Sequence, residues 1–364
     1  GDIGMASVIR REVNLDESEL VQLRNGSTWA SEHGVDRIDI LKVDVEGAEV
    51  DVLRGLERHL PSVKALYLEY DSRDIRREIE PFRDTDFSRM YWEAGMGDVT
   101  YYPSKIGSLM TLGWPQDAYR VRDRLVGWTY ADFQKRGIDP FRVALDHCHE
   151  VGLEFHASYR VAGFYFPAPE DEWNAGGVYH RHPDWRGKNR QGQATPRVSY
   201  AFPGVRQFVL DLFREIMTYP VDGICLLYNR HLPLLEYEDP IVDSFRQKYG
   251  VDPRSLDDRD PRWLAHRAGF LTDFMRELRA LARTAGREGS RPKPINVTAV
   301  VMSSRDENWY NGLDLETWVR EELVDTLVAY SSTSNGANLA TPPNGLAEAE
   351  YFIRLTKNTS CQHA

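Results

Sequence analysis

The alternation of apolar and polar positions divides the chain into two unlike stretches. Between Val35 and Asp71 it predicts strand, helix, strand: residues 38–45 are rich in β-branched side chains, and Val52, Leu53, Leu56 and Leu60 recur at helical spacing within 46–60. Pro61 stops that helix, and residues 63–70 form a second apolar run, completing a βαβ unit. The charged stretch 72–81 reads as a helix or linker ended by Pro81. Beyond it, strands are predicted at 88–93, 153–160, 221–228, 295–301 and 324–330. Helices are predicted at 139–152, 205–217, 262–285, 315–322 and 346–356, with a short final strand at 361–363. Strands alternating with helices indicate an α/β class with a parallel sheet, and over this span the natural closure is a (β/α)8-type barrel. The expected fold is therefore a partial Rossmann-like βαβ segment over residues 1–80, followed over 81–364 by an incomplete barrel. It is expected to be incomplete because only five or six strands are counted and 34 residues remain after Tyr330.

Composition narrows the class. The chain has 364 residues, 41% of them hydrophobic, enough for real cores at about 100–200 residues per domain. Eight of its nine Trp lie between Trp92 and Trp318, which sets the second stretch apart from the first. Its 45 Lys and Arg against 56 Asp and Glu leave a net charge of −11, so no general attraction to phosphate backbones is expected and nucleic acid is an unexpected partner. Cys148, Cys225 and Cys361 form no paired motif and read as inert thiols. No run approaches a membrane span of about 18 apolar residues, and no secretory segment follows the start. That pattern favours a cytoplasmic location. The chain opens Gly1-Asp-Ile-Gly, however, with its first Met at Met5. His147 and His149, on one predicted helix, diverge at i, i+2 spacing, and with His180 and His182 they give no metal set. Residues 186–190 read as a solvated basic loop, and 236–240 as an acidic turn on the surface or in a lid.

Acids at the carboxyl ends of the first strands, Asp44, Glu46, Glu69 and Asp71, either face a ligand crevice or, for Asp44 and Glu46, cap the following helix. The run from Ile40 to Gly55, ILKVDVEGAEVDVLRG, followed by VKALYLEY from Val63, closely resembles the later half of FkbM-type S-adenosylmethionine-dependent methyltransferases. That resemblance implies a Rossmann-like fold, O-methyl transfer to a hydroxyl, and Asp44 and Glu46 at the edge of the cofactor and acceptor pocket. The glycine-rich turn and acidic residue that hold such a cofactor have no counterpart before Ile38, so this stretch is expected not to bind S-adenosylmethionine by itself.

In the barrel-like part, chemistry is expected where strands end. Trp92, Glu93, His156, Tyr159, Arg160, Tyr228, Arg230, Asp306, Glu307 and Tyr330 lie there. Aromatic faces stack on pyranose rings, charged groups take hydroxyls, and two carboxyls flank a scissile glycosidic bond. The set reads as a glycan site: Glu93, Asp306 and Glu307 as catalytic carboxyls and Trp92, His156, Tyr159, Arg160, Tyr228, Arg230 and Tyr330 as substrate contacts. Taken singly, each is better read as a core residue, a satisfied imidazole or an ion-pair member; it is the set that points to a site. DPFR from Asp139, GLEFHASYR from Gly152, HPDW from His182, SYAFPGVR from Ser199, VDG from Val221 and GLDLETW from Gly312 resemble the glycoside-hydrolase-like barrels grouped with family-ten glycosyl hydrolases. The resemblance implies an acid late in the Val-Asp-Gly strand, where this chain has Leu227; Glu93, Asp306, Glu307 or Glu236 would have to serve instead. Three functions follow: a carbohydrate-active barrel, a methyltransferase whose barrel binds the glycan acceptor, or a carbohydrate-binding module without turnover.

Overall fold

In a computed structural model the described residues are 24–38, 40–43, 49–62, 65–68, 75–109, 130–131, 133–162, 176–230, 232–285, 294–330 and 345–363. Asp44, Glu46, Glu69 and Asp71 lie outside them. The strands are β1 (Ile40–Val43), β2 (Ala65–Leu68), β3 (Arg89–Met96), β4 (Val99–Thr100), β5 (Ser108–Leu109), β6 (Glu154–Arg160), β7 (Arg186–Lys188), β8 (Ala194–Val198), β9 (Gly223–Leu227), β10 (Asn296–Met302), β11 (Thr326–Tyr330) and β12 (Gln362–His363). The helices are α1 (Gly26–Glu32), α2 (Glu49–Gly55), α3 (Ile75–Ile79), α4 (Pro140–Glu150), α5 (Val178–Arg181), α6 (Pro203–Ile216), α7 (Asp239–Tyr249), α8 (Pro261–Ala285), α9 (Arg305–Tyr310), α10 (Leu315–Arg320) and α11 (Gly345–Thr356). The chain divides into two units, residues 1–93 with 140–156, and 94–139 with 157–364.

In the first unit β1 pairs parallel with β2, Ile40 opposite Ala65, and β2 pairs parallel with the start of β3, Ala65 opposite Arg89. The predicted βαβ order holds, although the helix is shorter than its apolar spacing suggests and Pro61 sits in a 3-10 turn at Leu60–Ser62. Buried His59 ties that turn back: Nε2 lies 2.9 Å from the Val35 carbonyl and Nδ1 3.4 Å from the Ser27 hydroxyl. Helix α4 buries Phe141, Ala144, Leu145 and Cys148, one stripe at i, i+3, i+4, i+7 spacing. Phe141 meets Phe155 edge-on at 5.0 Å.

In the second unit β9, β10, β11 and β12 run parallel in that order, with Val300 opposite Leu227 and Tyr330 opposite Met302. All five residues of β9 are buried, as expected of a strand covered on both faces. Helix α6 contributes Val209, Leu212 and Phe213 to the core, and α8 contributes Trp263, Leu271, Phe274, Met275 and Leu278. At the amino-terminal edge of the sheet Asp325 takes two 2.7 Å bonds from Arg279 and one from the Val297 amide. The class is α/β with a mostly parallel sheet, and no closed barrel forms among the described residues.

Two expectations are corrected. Residues 186–190 are not a solvated basic loop. Residues 186–188 form β7 of a hairpin with β8, and Arg190 donates to the Arg254 carbonyl at 3.0 Å and to Asp258 at 2.9 Å. The hairpin escaped sequence reading because RGK and ATPRV lack apolar alternation. Residues 236–240 are not a solvent-facing acidic turn either: the segment runs into α7, and Glu238 is 1% exposed.

Candidate functional site at the strand ends

Successive side chains of a strand point to opposite faces, so one well-placed residue fixes its neighbours. On β6 the Tyr159 ring meets Phe213 of α6 at 5.3 Å and its hydroxyl donates to the Gly97 carbonyl. Past β9 the Tyr228 ring meets Trp318 of α10 at 5.3 Å and its hydroxyl donates to Met275 Sδ of α8 at 3.1 Å. Both tyrosines therefore face the helices. Burial pushes both phenols far above their usual range and keeps them neutral. The residues that alternate with them, Ser158 and Arg160 on β6 and Leu227 and Asn229 at β9, face the other way. The ladder continues past β9 through the Tyr228 amide, which donates to the Val300 carbonyl at 2.9 Å. Register then adds Met302 and Tyr330 to that inner face. On it the buried Asn229 Oδ1 and Ser158 Oγ accept or donate no hydrogen bond among the described residues. A buried polar atom left alone costs about 1–3 kcal/mol, which makes this layer a candidate to receive a polar ligand. Arg230 follows Asn229 and is half-buried.

The first unit carries a polar face of its own. Trp92 lies against Phe155, ring centroids 6.4 Å apart, and belongs to the core. Arg89, Tyr91 and Glu93 alternate with it. Arg89 donates to Glu154 at 3.1 Å and to the Tyr91 hydroxyl at 3.1 Å, the Tyr91 ring meets His156 edge-on at 5.3 Å, and His156 Nε2 lies 3.6 Å from Glu154. Glu93 and His156 are both buried. A sheet face that half-buries an ion pair beside a buried imidazole is a better site candidate than an apolar one, although such networks also serve structure alone.

A third group follows β9. The loop 232–238 is clamped through its backbone: Arg197 donates to the Pro233 carbonyl at 2.9 Å, Ser199 to Leu234 at 3.3 Å and Arg267 to Leu235 at 3.2 Å. Arg267 also donates to the Tyr310 carbonyl at 2.7 Å. The Glu236 amide donates to Glu238 Oε2 at 2.8 Å, turning the Glu238 carboxyl inward. Burial pushes that carboxyl up to about 7, against the hydrogen bonds it accepts. Burial also raises Glu236, outweighing nearby Arg197 and Arg267. Sequence reading named Glu236 only as a fallback acid and missed Glu238, whose burial depends on clamps from distant segments. A carboxyl that holds its proton near neutrality, in a loop after a barrel-type strand, is suited to general acid chemistry.

Asp306 and Glu307 sit elsewhere, in the first turn of α9, where Ser304 Oγ accepts from the Glu307 amide and negative charge suits the helix terminus. Leu227, in the position where an acid is expected, is buried. His182 stacks on Trp185 at 3.7 Å, which also explains Gly204, since a Cβ there would overlap the Trp185 ring. Among the described residues no group of three or more metal-ligating side chains forms, and no helix is long and apolar enough to cross a membrane.

Comparison with known proteins adds the following. Residues 6–93 match the methyltransferase FkbM domain. Curated relatives include the 2-O-methyltransferase NoeI of Sinorhizobium fredii, 34% identical over 71 residues, which are 20% of this chain and 29% of that protein. Methyltransferase sdnD of Sordaria araneosa is 47% identical over 51 residues, 14% of this chain and 20% of that protein. The chain thus spans less than a third of the length of these relatives. Among solved structures, the PgaB (BpsB) glycoside hydrolase domain of Bordetella bronchiseptica is 14% identical with a TM-score of 0.48, covering 87% of this chain and 80% of that one. A GH20 exo-β-N-acetylglucosaminidase of Vibrio harveyi is 11% identical with a TM-score of 0.38, covering 72% and 39%. Residues 61–341, more than three quarters of the chain, match the family described as glycosyl hydrolase-like 10, and the chain belongs to that family.

Proposed function

We propose that the second unit binds a glycan on the inner face at its strand ends, through Arg160, Asn229, Arg230 and Tyr330, and that Glu236 is the proton donor to the glycosidic oxygen. The family is glycoside-hydrolase-like, and that membership supports a carbohydrate-active reading of the chain. The observation that carries the residue assignment is the loop after β9, where Arg197 and Arg267 are held on backbone carbonyls and burial keeps Glu236 and Glu238 protonated to higher pH than ordinary carboxyls. Glu238 is fully buried and acts by holding the Glu236 amide, which makes it a positioning residue. Glu93, on the polar face of the first unit, is the competing acid. Tyr159, Tyr228 and Trp92 support the sheet from its helix side.

The test is hydrolysis of a broad glycan panel by the parent chain, E236Q and E93Q. Loss of at least about 100-fold in E236Q with glycan binding retained supports the assignment. Turnover unchanged in E236Q and lost in E93Q moves the acid to the first unit. A second reading rests on Leu227: with an aliphatic side chain where an acid is expected, the barrel binds glycan without cleaving it. Binding by the parent chain with no turnover of any panel member would select that reading.

The FkbM-type match implies S-adenosylmethionine, and we place the end of that segment near residue 80. The described glycines of the first unit do not form a cradle for it. A Cβ at Gly26 would press on the Leu56 side chain, Gly55 packs against the Gly26 amide, and Gly34 turns the chain at φ 68° with nothing near it. Methyl transfer is therefore a proposal for a protein that also carries the rest of a methyltransferase fold.

A further inference from the structure

Outside the strand ends, α9, α10 and α11 of the second unit enclose a groove of about 400 Å³, within the range of small-ligand sites. Its lining mixes charged, aromatic and apolar side chains. Asp306 and Trp309, three residues apart on α9, share a face, and Tyr351 comes from α11. Arg305 is fixed by Glu316 at 2.7 and 3.1 Å, and its guanidinium lies 5.8 Å from the centre of the Tyr351 ring. Asp314 Oδ1 accepts the Thr317 amide at 3.0 Å, leaving its second oxygen for another donor. Buried Leu313 and Leu315 supply an apolar floor. Among the described residues neither the Asp306 carboxylate nor the Trp309 indole N–H has a protein hydrogen-bond partner.

We propose that this groove is a second glycan-binding site, taking one pyranose ring of a neutral glycan with the apolar face of the ring on Trp309 and its hydroxyls on Asp306, Asp314 and Arg305. A flat aromatic beside open carboxylate and guanidinium groups matches a ring that is apolar on its face and hydroxylated at its rim. A free anion is disfavoured, since three carboxylates line the groove against two guanidiniums. This assignment gives Asp306 a binding role in place of the catalytic one expected from sequence. It is independent of Glu236.

The experiment is affinity electrophoresis of the full chain through gels containing laminarin, xylan, dextran or soluble chitin oligosaccharides, with W309A and D306A alongside and R83A, an exposed position in the first unit, as the control. The proposal expects at least one glycan to retard the parent, W309A to weaken that binding about tenfold, D306A to weaken it several-fold, and R83A to bind as the parent does. D306A, at an exposed position, guards against loss through misfolding. Parent-like retardation of both W309A and D306A, or no retardation of the parent by any of the four, overturns it. Hydrolysis lost in E236Q while W309A still binds normally would remove the groove and leave the strand-end reading standing.

Discussion

Two regions set carboxylates beside arginines yet treat them in opposite ways: the exposed and half-buried pairs around α3 and α4 in the first unit, and the buried loop after β9 in the second. In the first, the cations are spent on carboxylates. Arg89 pairs with Glu154, Arg83 holds Glu80, and His147 stands between Glu80 and Glu150 at 2.8 Å from each. The hydrogen bond from Arg83 holds Glu80 below the usual carboxylate range, and that from His147 does the same for Glu150. In the second, Arg197 and Arg267 are spent on backbone carbonyls, and burial lifts Glu236 and Glu238 instead. Arginine content alone therefore does not say whether a neighbouring acid keeps its proton. What the guanidinium is bonded to decides it, and only the second arrangement yields an acid at neutral pH.

Breaking the clamp should have the largest effect. Arg267→Ala leaves the Leu235 and Tyr310 carbonyls without their donor and should cost about 4 kcal/mol in chemical denaturation. A loss no larger than that of an exposed arginine would mean that the loop is held by other means.

Next comes the pH response, which should differ in sign between the regions. Glu238 binds its proton more tightly folded than unfolded, so its contribution is present below about 4.5 and is lost as pH rises to about 7, on the order of 2–3 kcal/mol. Glu238→Gln should flatten that slope in urea midpoints measured across the interval, and a slope unchanged by the substitution would remove Glu238 from the account. Glu80 and Glu150 behave the other way: their contribution is present above the ordinary carboxylate pKa and is lost as pH falls through their depressed values. Both are exposed, so Glu80→Gln with Glu150→Gln should change only the acid limb, and only slightly.

The smallest effect is expected for Arg83→Ala at neutral pH and moderate salt, where an exposed pair is screened and the midpoint should not move measurably. A clear shift would show that the first unit relies on surface ion pairs more than the second does.

The strands were legible because β-branched runs between helical stripes leave few other readings. Residues 154–160, 223–227, 296–302 and 326–330 fall within a residue or two of their predicted positions. The polar hairpin was not legible, since its pairing rests on the Gly192 turn at φ 79° and on no apolar pattern. At the strand ends, sequence named the residues but not the direction of each side chain. Tyr228 and Asn229 are adjacent in sequence, yet the tyrosine reaches Met275 among the helices while Asn229 takes the inner face. Glu238 was hidden for a different reason. A carboxyl in a run reading Glu-Tyr-Glu-Asp-Pro looks exposed until Arg197, Ser199 and Arg267 arrive from segments some 30 to 40 residues away to bury it.

The central claim is that burial in the loop after β9 holds the Glu238 carboxyl protonated to about pH 7 and raises Glu236 above the ordinary carboxylate range. Selective 13C labelling of glutamate carboxyls, followed by NMR through a pH titration of the parent chain and of Glu238→Gln, tests it most directly. The account predicts one carboxyl resonance with a midpoint near 7 that disappears in Glu238→Gln, and a second, belonging to Glu236, that titrates above the ordinary glutamate range. If every glutamate titrates near the ordinary value of about 4.3, the loop carries no acid suited to neutral pH and the account is contradicted.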